Sequence, residues 1–170
     1  QKGIFPYRNK GIKIPTLQNV LERFNDKRLA IHVKQKSTVL VHTIIKLLKQ
    51  YGNLNRTIIG SEHDIVSQTI RNTYPRVARF CSKKEIWSLL MKRLLPSGSP
   101  QKDTQAVVST PIRSSIFQFG NRNWIEYLHR NNMRAFFWTI NDPKVMQHLR
   151  DCGADGIITD DPKLARRTLD

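Results

Sequence analysis

The sequence predicts an α/β fold built on a parallel sheet, and three observations support this prediction. Residues 135–140 form a short apolar, aromatic-rich run that is typical of a buried strand. Residues 141–143 have the sequence Asn-Asp-Pro, which ends a strand and begins a helix with proline at its first position. After Gly153, a typical helix end, residues 156–159 form a second apolar run. A strand, a short helix and another apolar strand indicate a parallel βαβ unit.

The first half of the chain repeats this alternation. Residues 1–13 are basic and contain glycine and proline, which indicates a loop. The predicted elements that follow are a helix from Pro15 to Phe24, a strand over 29–34, a helix capped by Ser37 that runs through Tyr51, a strand over 57–60 and a helix after Asp64. The core candidates of the first of these two later helices are Val39, Ile44, Leu47 and Leu48, and the second carries Ile65, Val66, Thr69 and Ile70.

The second half continues in the same way. Its predicted elements are a strand over 77–81, a helix over 83–95 capped by Ser82, a loop over 96–104, strands over 106–108 and 116–119, a helix that begins at residues 120–121 and runs through Asn131, and a last helix over 164–169. Cys81 and Cys152 have neither a CxxC partner nor metal-ligand spacing, so we expect both thiols to be reduced and buried.

The strand over residues 29–34 has two different faces. Three apolar residues share one face and three other residues share the opposite face, namely Leu29, Ile31 and Val33 against Ala30, His32 and Lys34. We expect the apolar face to pack on helices. His32 and Lys34 would then project from the opposite face, at the carboxyl end of the strand.

The chain has 170 residues and a net charge of +16, with lysine and arginine spread along its length. Such a basic surface is either simply solvated or attracts an anionic partner, such as a phosphodiester, an anionic lipid surface or nucleic acid. Nucleic acid is disfavoured because no recognisable nucleic-acid-binding motif is present. No apolar run approaches the roughly 20 residues of a membrane span, and the sequence does not indicate a compartment.

Two pairs of segments carry a family resemblance. One pair is Trp-Thr-Ile-Asn-Asp-Pro from Trp138 and Gly-Ala-Asp-Gly-Ile-Ile-Thr-Asp-Asp-Pro from Gly153; the other is Gly-Ile-Lys-Ile-Pro-Thr-Leu-Gln-Asn-Val-Leu-Glu from Gly11 and Leu-Ala-Ile-His-Val-Lys from Leu29. Their order and spacing resemble the glycerophosphodiester phosphodiesterase family. The resemblance implies a (β/α)8 TIM-type barrel that hydrolyses glycerophosphodiesters with a divalent metal.

Such barrels usually have about 250 residues, so the chain is short for this fold. We therefore expect residues 1–170 to be the C-terminal portion of a single barrel domain, incomplete because the first two β/α units are missing from this chain. The resemblance places two catalytic histidines in those units, one of them in a His-Arg-Gly motif. No such motif occurs here, and the nearest string, His129-Arg130-Asn131, lies on a predicted helix. We expect this chain by itself to be inactive, although its family is one of phosphoric diester hydrolases.

Three residues of this chain match site positions of the family. His32 stands where the family has a metal-binding glutamate, Lys34 matches a lysine that faces the substrate phosphate, and Trp138 matches a tryptophan of the substrate pocket. The resemblance implies Mg²⁺ or Ca²⁺, and His32 makes Mn²⁺ or Zn²⁺ an alternative because imidazole suits these metals. The structural alternatives are a hydrogen-bonded barrel histidine, a plain lysine at the sheet edge and a core aromatic residue.

Other polar residues admit similar alternatives. Glu62 and Asp64 are candidates for replacement carboxylates, whereas Ser61 and Asp64 serve equally well as helix caps. Asp160 and Asp161 are predicted N-cap residues, and the remaining histidines at 42, 63 and 148 are predicted to lie on the surface.

Two functions therefore stay open at the level of sequence. The first is a metal-dependent glycerophosphodiester phosphodiesterase of glycerophospholipid metabolism, with a glycerophosphodiester or lysophospholipid-type substrate and possible peripheral contact with an anionic membrane. The second is a degenerate, non-catalytic barrel that binds anionic ligands or lipid surfaces, which the replacement of a glutamate by His32 favours.

Overall fold

Strands and helices alternate along the chain in the computed structural model, which describes residues 10–94 and 102–170. Within those residues the strands are β1 (Leu29–His32), β2 (Thr57–Gly60), β3 (Arg79–Phe80), β4 (Ala106–Thr110), β5 (Arg134–Phe137) and β6 (Gly156–Ile157). The helices are α1 (Leu17–Phe24), α2 (Thr38–Gln50), α3 (Asp64–Thr73), α4 (Lys83–Leu94), α5 (Arg122–Arg130), α6 (Pro143–Asp151) and α7 (Pro162–Leu169), and a 3-10 turn covers Leu54–Arg56. The predicted loops over residues 1–9 and 96–101 lie outside the described residues.

The strands form one parallel sheet in the order β1-β2-β3-β4-β5-β6. Each strand pairs with the strand that follows it in the chain, for example Leu29 with Thr57 and His32 with Gly60. In the part of the chain that the structure describes, β1 and β6 each have one unpaired edge. The predicted α/β fold with a parallel sheet is thus confirmed, and the helices connect consecutive strands as the βαβ pattern requires.

Helices cover one face of the sheet, and the core lies between the two layers. One cluster joins α1, α2 and α3 to β1 and β2 and contains Leu21, Val41, Ile44, Ile45, Leu48, Ile59, Val66 and Ile70. The other joins α4, α5 and α6 to β4 and β5 and contains Leu89, Leu90, Ala106, Val108, Trp124, Ile125, Leu128, Ala135, Phe137, Met146 and Leu149. Both cysteines are free and buried, as predicted. No helix in the described ranges is both long and apolar enough to cross a bilayer.

Several helix starts are also where the sequence places them. The Ser37 hydroxyl accepts the N–H of Leu40 at 3.2 Å, and the Asp142 carboxylate accepts the N–H of Lys144 at 2.7 Å. These side chains satisfy backbone donors that the first turn of a helix leaves unpaired. The short polar residues before each apolar run therefore fix where α2 and α6 begin.

The core candidate Val39 is wrong, and Ile65 at the same position of the next helix is also exposed. Val39 is 72% exposed and Ile65 is 45% exposed. Each is the second residue of its helix, α2 or α3, at the carboxyl end of the sheet. Helical spacing alone counted them with the apolar face, but the first turn of each helix extends beyond the layer that the sheet covers.

The strand predicted over residues 116–119 is also wrong. This segment is irregular and contains only an isolated antiparallel bridge between Arg113 and Gln118. Its aromatic residues pack on α5 instead, with the rings of Phe117 and Phe119 each 5.5 Å from the ring of Trp124. Apolar residues at every second position are typical of a strand, but here Phe117 and Phe119 both pack against Trp124 of α5.

A buried ion network lies between the sheet and α4, and no pattern in the sequence indicated it. The Arg79 side chain, 3% exposed, projects from β3 into the helix layer. Its guanidinium contacts Glu85 at 2.9 Å and Asp103 at 2.8 Å, and it donates to the Ser67 hydroxyl at 2.9 Å. A buried arginine is tolerated because its donors are paired.

The Glu85 carboxylate is held in its ionised form. Burial by itself raises the pKa of Glu85, but hydrogen bonds from the Ser67 hydroxyl and the Ser82 N–H, together with the charge of Arg79, bring it below the ordinary 4.5. A carboxylate with a lowered pKa in the folded state stabilises the fold above pH 4.5, and this contribution is lost as the pH falls through the folded-state pKa.

We predict that Arg79→Leu lowers the free energy of unfolding by about 3–5 kcal/mol, because it removes the buried cation that the partly buried carboxylates of Glu85 and Asp103 share. Arg71, 3.7 Å from Glu85, then remains as an ion-pair partner of Glu85. The matched control is Arg166→Leu, which removes an arginine that pairs with Asp170 on the exposed surface of α7 and should cost less than about 1 kcal/mol. Urea denaturation of both variants checks the prediction. Equal losses would contradict it.

A second prediction concerns pH. The stability difference between the wild type and Glu85→Gln should be largest at neutral pH and should shrink below pH 4.5, where the carboxyl group becomes protonated and resembles the amide. Urea denaturation across this pH range measures the difference. A difference that grows towards acid would show that Glu85 is not held ionised.

Candidate active site

The carboxyl ends of β1 and β2 carry the first group of candidate residues. His32 is the last residue of β1 and lies in register with Gly60 of β2. Lys34 follows two residues later, and both side chains are exposed. Val33 is buried at 3% with the helix-side core, so the predicted alternation of faces is confirmed, and His32 and Lys34 belong to the face that the helices leave open.

The electrostatic surroundings of His32 disfavour its protonated form. Partial burial lowers the pKa of His32 from 6.5, the positive charge of Lys34 lowers it further, and the carboxylate of Glu62 opposes both effects in part. His63 also lies close enough to contribute. The imidazole is therefore neutral at pH 7, with one ring nitrogen available as an acceptor.

Glu62 is paired with the first residue of helix α4. The Lys83 ammonium group contacts its carboxylate at 2.7 Å, and this hydrogen bond is the main cause of the lowered pKa of Glu62. The contact joins the loop after β2 to the start of α4. The Lys83 ammonium group also neutralises the negative charge that the Glu62 carboxylate would otherwise offer to a metal ion.

The described residues do not fit a divalent metal by themselves. Across residues 10–94 and 102–170, no group of three or more His, Cys, Asp or Glu side chains converges closely enough to hold an ion. His32 and Glu62 are the two candidate ligands at this end of the sheet, and hard cations such as Mg²⁺ prefer several oxygen ligands. The metal role of His32 accordingly stays a prediction.

Two aromatic rings lie on the open face in the middle of the sheet. Phe80 of β3 and Phe136 of β5 meet with their ring centroids 6.3 Å apart. Two glycines leave the space for them: a Cβ atom on Gly60 would lie 2.4 Å from the Phe80 Cβ, and one on Gly156 would lie 2.8 Å from the Phe136 ring. Together the rings make an apolar floor between the two ends of the candidate site.

Trp138 lies at the other end of that floor. It is the first residue after β5, its N–H donates to the carbonyl of Thr110 at 3.1 Å, and it shares the open face with Phe136 by alternation. At 44% exposure it is not a core residue. A large, half-exposed ring at the carboxyl end of a parallel strand is suited to contact a ligand.

An amide side chain that the sequence did not single out joins β5 to β6. Asn141 donates to the Asp160 carboxylate at 2.8 Å and accepts from the Asp160 N–H at 3.0 Å and the Thr159 hydroxyl at 2.9 Å. The prediction that Asp160 is an N-cap is therefore wrong, whereas Asp161 does cap α7 by accepting the N–H of Leu164 at 2.9 Å. The sequence could have indicated this pair, because Asn141 and Asp160 each follow one of two strands that lie side by side in a parallel sheet.

Asp64 does not cap its own helix either. His63 is the N-cap residue of α3 and makes no capping hydrogen bond. The Asp64 carboxylate instead accepts from the Ser82 hydroxyl at 2.7 Å, and Ser61 accepts from the N–H of His63 at 3.1 Å. Asp64 is thus used to tie α3 to the start of α4.

The structure thus brings His32, Lys34, Glu62 and His63 together at one end of the carboxyl edge. Trp138 lies four strands away, with the aromatic floor between. The other predicted surface histidines take no part: His42 contacts the Tyr74 hydroxyl, and His148 contacts the carbonyl of Gly120.

A comparison with known protein families shows to which family this chain belongs. The model of the glycerophosphoryl diester phosphodiesterase family matches residues 1–164. The chain belongs to this family. The family resemblance read from the sequence is thereby confirmed, and the family is one of phosphoric diester hydrolases.

Curated relatives of this chain carry names from the same family. It is 25% identical over 162 residues to a glycerophosphodiester phosphodiesterase of Caldanaerobacter subterraneus, covering 90% of this chain and 60% of that protein. It is 24% identical over 176 residues to lysophospholipase D GDPD3 of Mus musculus, covering 91% of this chain and 53% of that protein. The chain therefore spans little more than half the length of these relatives.

Solved structures of the family share the fold. A glycerophosphoryl diester phosphodiesterase domain from Mycobacterium tuberculosis superposes with a TM-score of 0.77 at 16% identity, over 98% of this chain and 68% of that one. An Oleispira antarctica phosphodiesterase, solved with its product sn-glycerol 3-phosphate, gives a TM-score of 0.65 at 16% identity, over 91% and 61% of the two chains.

We predict that His32 titrates below pH 6.5 in an NMR experiment. Lys34→Ala should raise this midpoint, because it removes a cation that opposes protonation, and Glu62→Gln should lower it. Lys46→Ala, on the exposed side of α2, is the matched control and should leave it unchanged. A midpoint above 6.5, or a downward shift in Lys34→Ala, would refute this electrostatic arrangement.

Proposed function

We propose that this chain is the C-terminal part of a phosphodiesterase domain that acts on glycerophosphodiesters or lysophospholipids. The domain would be a (β/α)8 barrel, of which residues 1–170 supply the last six strands and their helices. The unpaired edges of β1 and β6 in the described residues support this, because closing a barrel requires a partner on both. The substrate class is that of the named relatives, a glycerophosphodiester phosphodiesterase and a lysophospholipase D.

The observation that carries the proposal is the placement of Lys34 and Trp138. Both lie just after a strand, on the face that the helices leave open and at the carboxyl edge, where barrels of this type keep their chemistry. Glu62, whose carboxylate interacts electrostatically with Lys34, is paired with Lys83. The Lys34 ammonium group is therefore available to an anionic ligand.

The proposed roles follow from the chemistry of each side chain. Lys34 binds the phosphoryl oxygens, since an ammonium group donates strong, charge-assisted hydrogen bonds to phosphate. Trp138 and the rings of Phe80 and Phe136 contact the carbon chain of the substrate. His32, neutral at pH 7, accepts or donates one hydrogen bond at the phosphate. A bound divalent metal would polarise the phosphoryl group, and its full ligand set is proposed to lie outside this chain, together with the two catalytic histidines.

Two features favour a non-catalytic binding domain as a second candidate. His32 replaces a carboxylate of the family pattern, and Glu62 is neutralised by Lys83. Both features lower the negative charge at the place where the family pattern has a metal ligand. They leave intact the ability of Lys34 to bind an anion.

We predict that the chain binds sn-glycerol 3-phosphate through Lys34. Lys34→Ala should weaken binding about tenfold or more, because a hydrogen bond to a charged group is worth about 1.5–3 kcal/mol. Isothermal calorimetry and NMR shifts of Lys34 and Trp138 measure the effect, with Lys46→Ala as the control. Equal affinity in both variants would exclude Lys34 from the site.

A hydrolysis assay separates the two candidates. The chain, with whatever residues its gene encodes on either side, is incubated with a glycerophosphodiester and a lysophospholipid, with metal or with chelator. Metal-dependent release of the head group supports the enzyme. Retained binding of sn-glycerol 3-phosphate without hydrolysis supports the binding domain.

A further inference from the structure

The carboxyl edge of the sheet exposes several large apolar side chains. Ile12 and Ile14, which precede α1, are 67% and 97% exposed. Val39 and Ile65, in the first turns of α2 and α3, are also exposed, and Trp87 in the second turn of α4 is 51% exposed. Exposed apolar side chains that gather on one side of a protein mark an interaction surface.

The connections of the fold bring the starts of α2, α3 and α4 to this edge. In a parallel βα repeat, each helix begins beside the carboxyl end of the preceding strand. Two contacts join the starts of α3 and α4 directly. Lys83 contacts Glu62, and the Ser82 hydroxyl donates to Asp64, each at 2.7 Å.

Helix α1 has the same direction as the other helices. Its last turn lies at the opposite, amino edge, where the Tyr51 hydroxyl donates to Glu22 at 3.0 Å and Asn53 donates to the carbonyl of Asn25 at 2.8 Å. Because α1 has 8 residues, it is about 12 Å long. Residues 12–14, just before its first turn, therefore lie towards the carboxyl edge.

Basic residues alternate with these apolar side chains. Six exposed lysines lie in the same segments, namely Lys10, Lys13, Lys34, Lys36, Lys83 and Lys84. Three carboxylates accompany them: Glu62 contacts Lys83 at 2.7 Å, Asp64 lies 3.9 Å from Lys84, and Glu85 is turned inward to the buried Arg79 at 2.9 Å. This part of the edge is therefore strongly positive, in contrast to the end near β6, where Asp160 and Asp161 lie.

We propose that this basic apolar edge, defined as residues 10–14, 34–39, 65 and 83–87, docks on an anionic lipid bilayer. The isoleucines, Val39 and Trp87 insert at the level of the head groups, and the lysines contact lipid phosphates and carboxylates. The inference rests on the proposed function in one respect: docking would present the head group of a membrane lipid to Lys34.

The apolar side chains favour a bilayer over nucleic acid. A duplex attracts the lysines through its phosphates, but it offers nothing to protruding side chains such as Ile14. A bilayer surface binds both kinds of residue, since its head groups are anionic and its acyl boundary is apolar.

Vesicle sedimentation of the whole chain tests the proposal. The chain should bind vesicles of phosphatidylcholine with phosphatidylserine at least about tenfold more tightly than vesicles of phosphatidylcholine alone, and high salt should weaken this binding. Fluorescence should report the contact of Trp87, because its emission should move to shorter wavelength on binding and Trp87→Phe should remove most of that shift.

Two pairs of variants locate the surface. Lys36→Glu with Lys84→Glu should weaken vesicle binding about tenfold or more, and Ile14→Ser with Trp87→Ser should do the same through the lost apolar contact. The charge-matched control is Arg28→Glu with Lys46→Glu, away from the edge, and the apolar control is Ile116→Ser, which changes another exposed isoleucine. Circular dichroism confirms that all variants are folded.

Three results would overturn the proposal. In the first, the control variants lose as much affinity as the edge variants, so that only net charge matters. In the second, a duplex oligonucleotide binds more tightly than the vesicles and the apolar substitutions have no effect. In the third, phosphatidylserine makes no difference. None of these assays requires hydrolysis, so a chain that docks but binds no sn-glycerol 3-phosphate would contradict the proposed function and leave the docking surface standing.

Discussion

The parallel alternation of strands and helices is the constraint on which the rest of this structure depends. Each connecting helix returns the chain to the amino edge, so every strand ends at the same carboxyl edge. His32, Glu62, Ser82, Trp138 and Asp160 come from five different segments, and the topology alone brings them to one side of the sheet. The twofold period of each strand then decides which of its side chains join the core and which reach the open face.

Strand β3 shows how closely stability and the candidate site are linked. It has only two residues, Arg79 and Phe80. Arg79 projects into the helix layer and is fixed by Glu85 and Asp103, whereas Phe80 projects to the open face and meets Phe136. So short a strand makes few ladder hydrogen bonds, and the ion network supplies side-chain contacts that hold it in register. The position of the aromatic floor thus depends on charges buried on the other side of the sheet.

The sequence predicted those features that depend on local periodicity or on short polar caps. The alternation in residues 29–34 placed His32 and Lys34 on the correct face, and Asp142-Pro143 marked the start of α6 within one residue. The sequence did not predict contacts between side chains that are far apart along the chain. Asp160 meets Asn141, 19 residues away, and Arg79 meets Asp103, 24 residues away, and neither contact has a period or a motif. The sequence showed a histidine at position 32, where the family resemblance implies a glutamate, but it did not show the pairing of Glu62 with Lys83.

The pairing of Glu62 with Lys83 affects whether a cation or an anion can bind at the end of the site formed by β1 and β2. Partial burial and the charge of Lys34 lower the pKa of His32 and favour its neutral form, and Lys83 neutralises Glu62. A divalent cation placed there would meet one neutral imidazole and a carboxylate already bound to an ammonium group, close to the positive charge of Lys34. An anion would meet Lys34 directly and could hydrogen-bond to His32 without displacing an existing ion pair. Among the described residues, the charges at this end of the carboxyl edge therefore favour an anion over a cation.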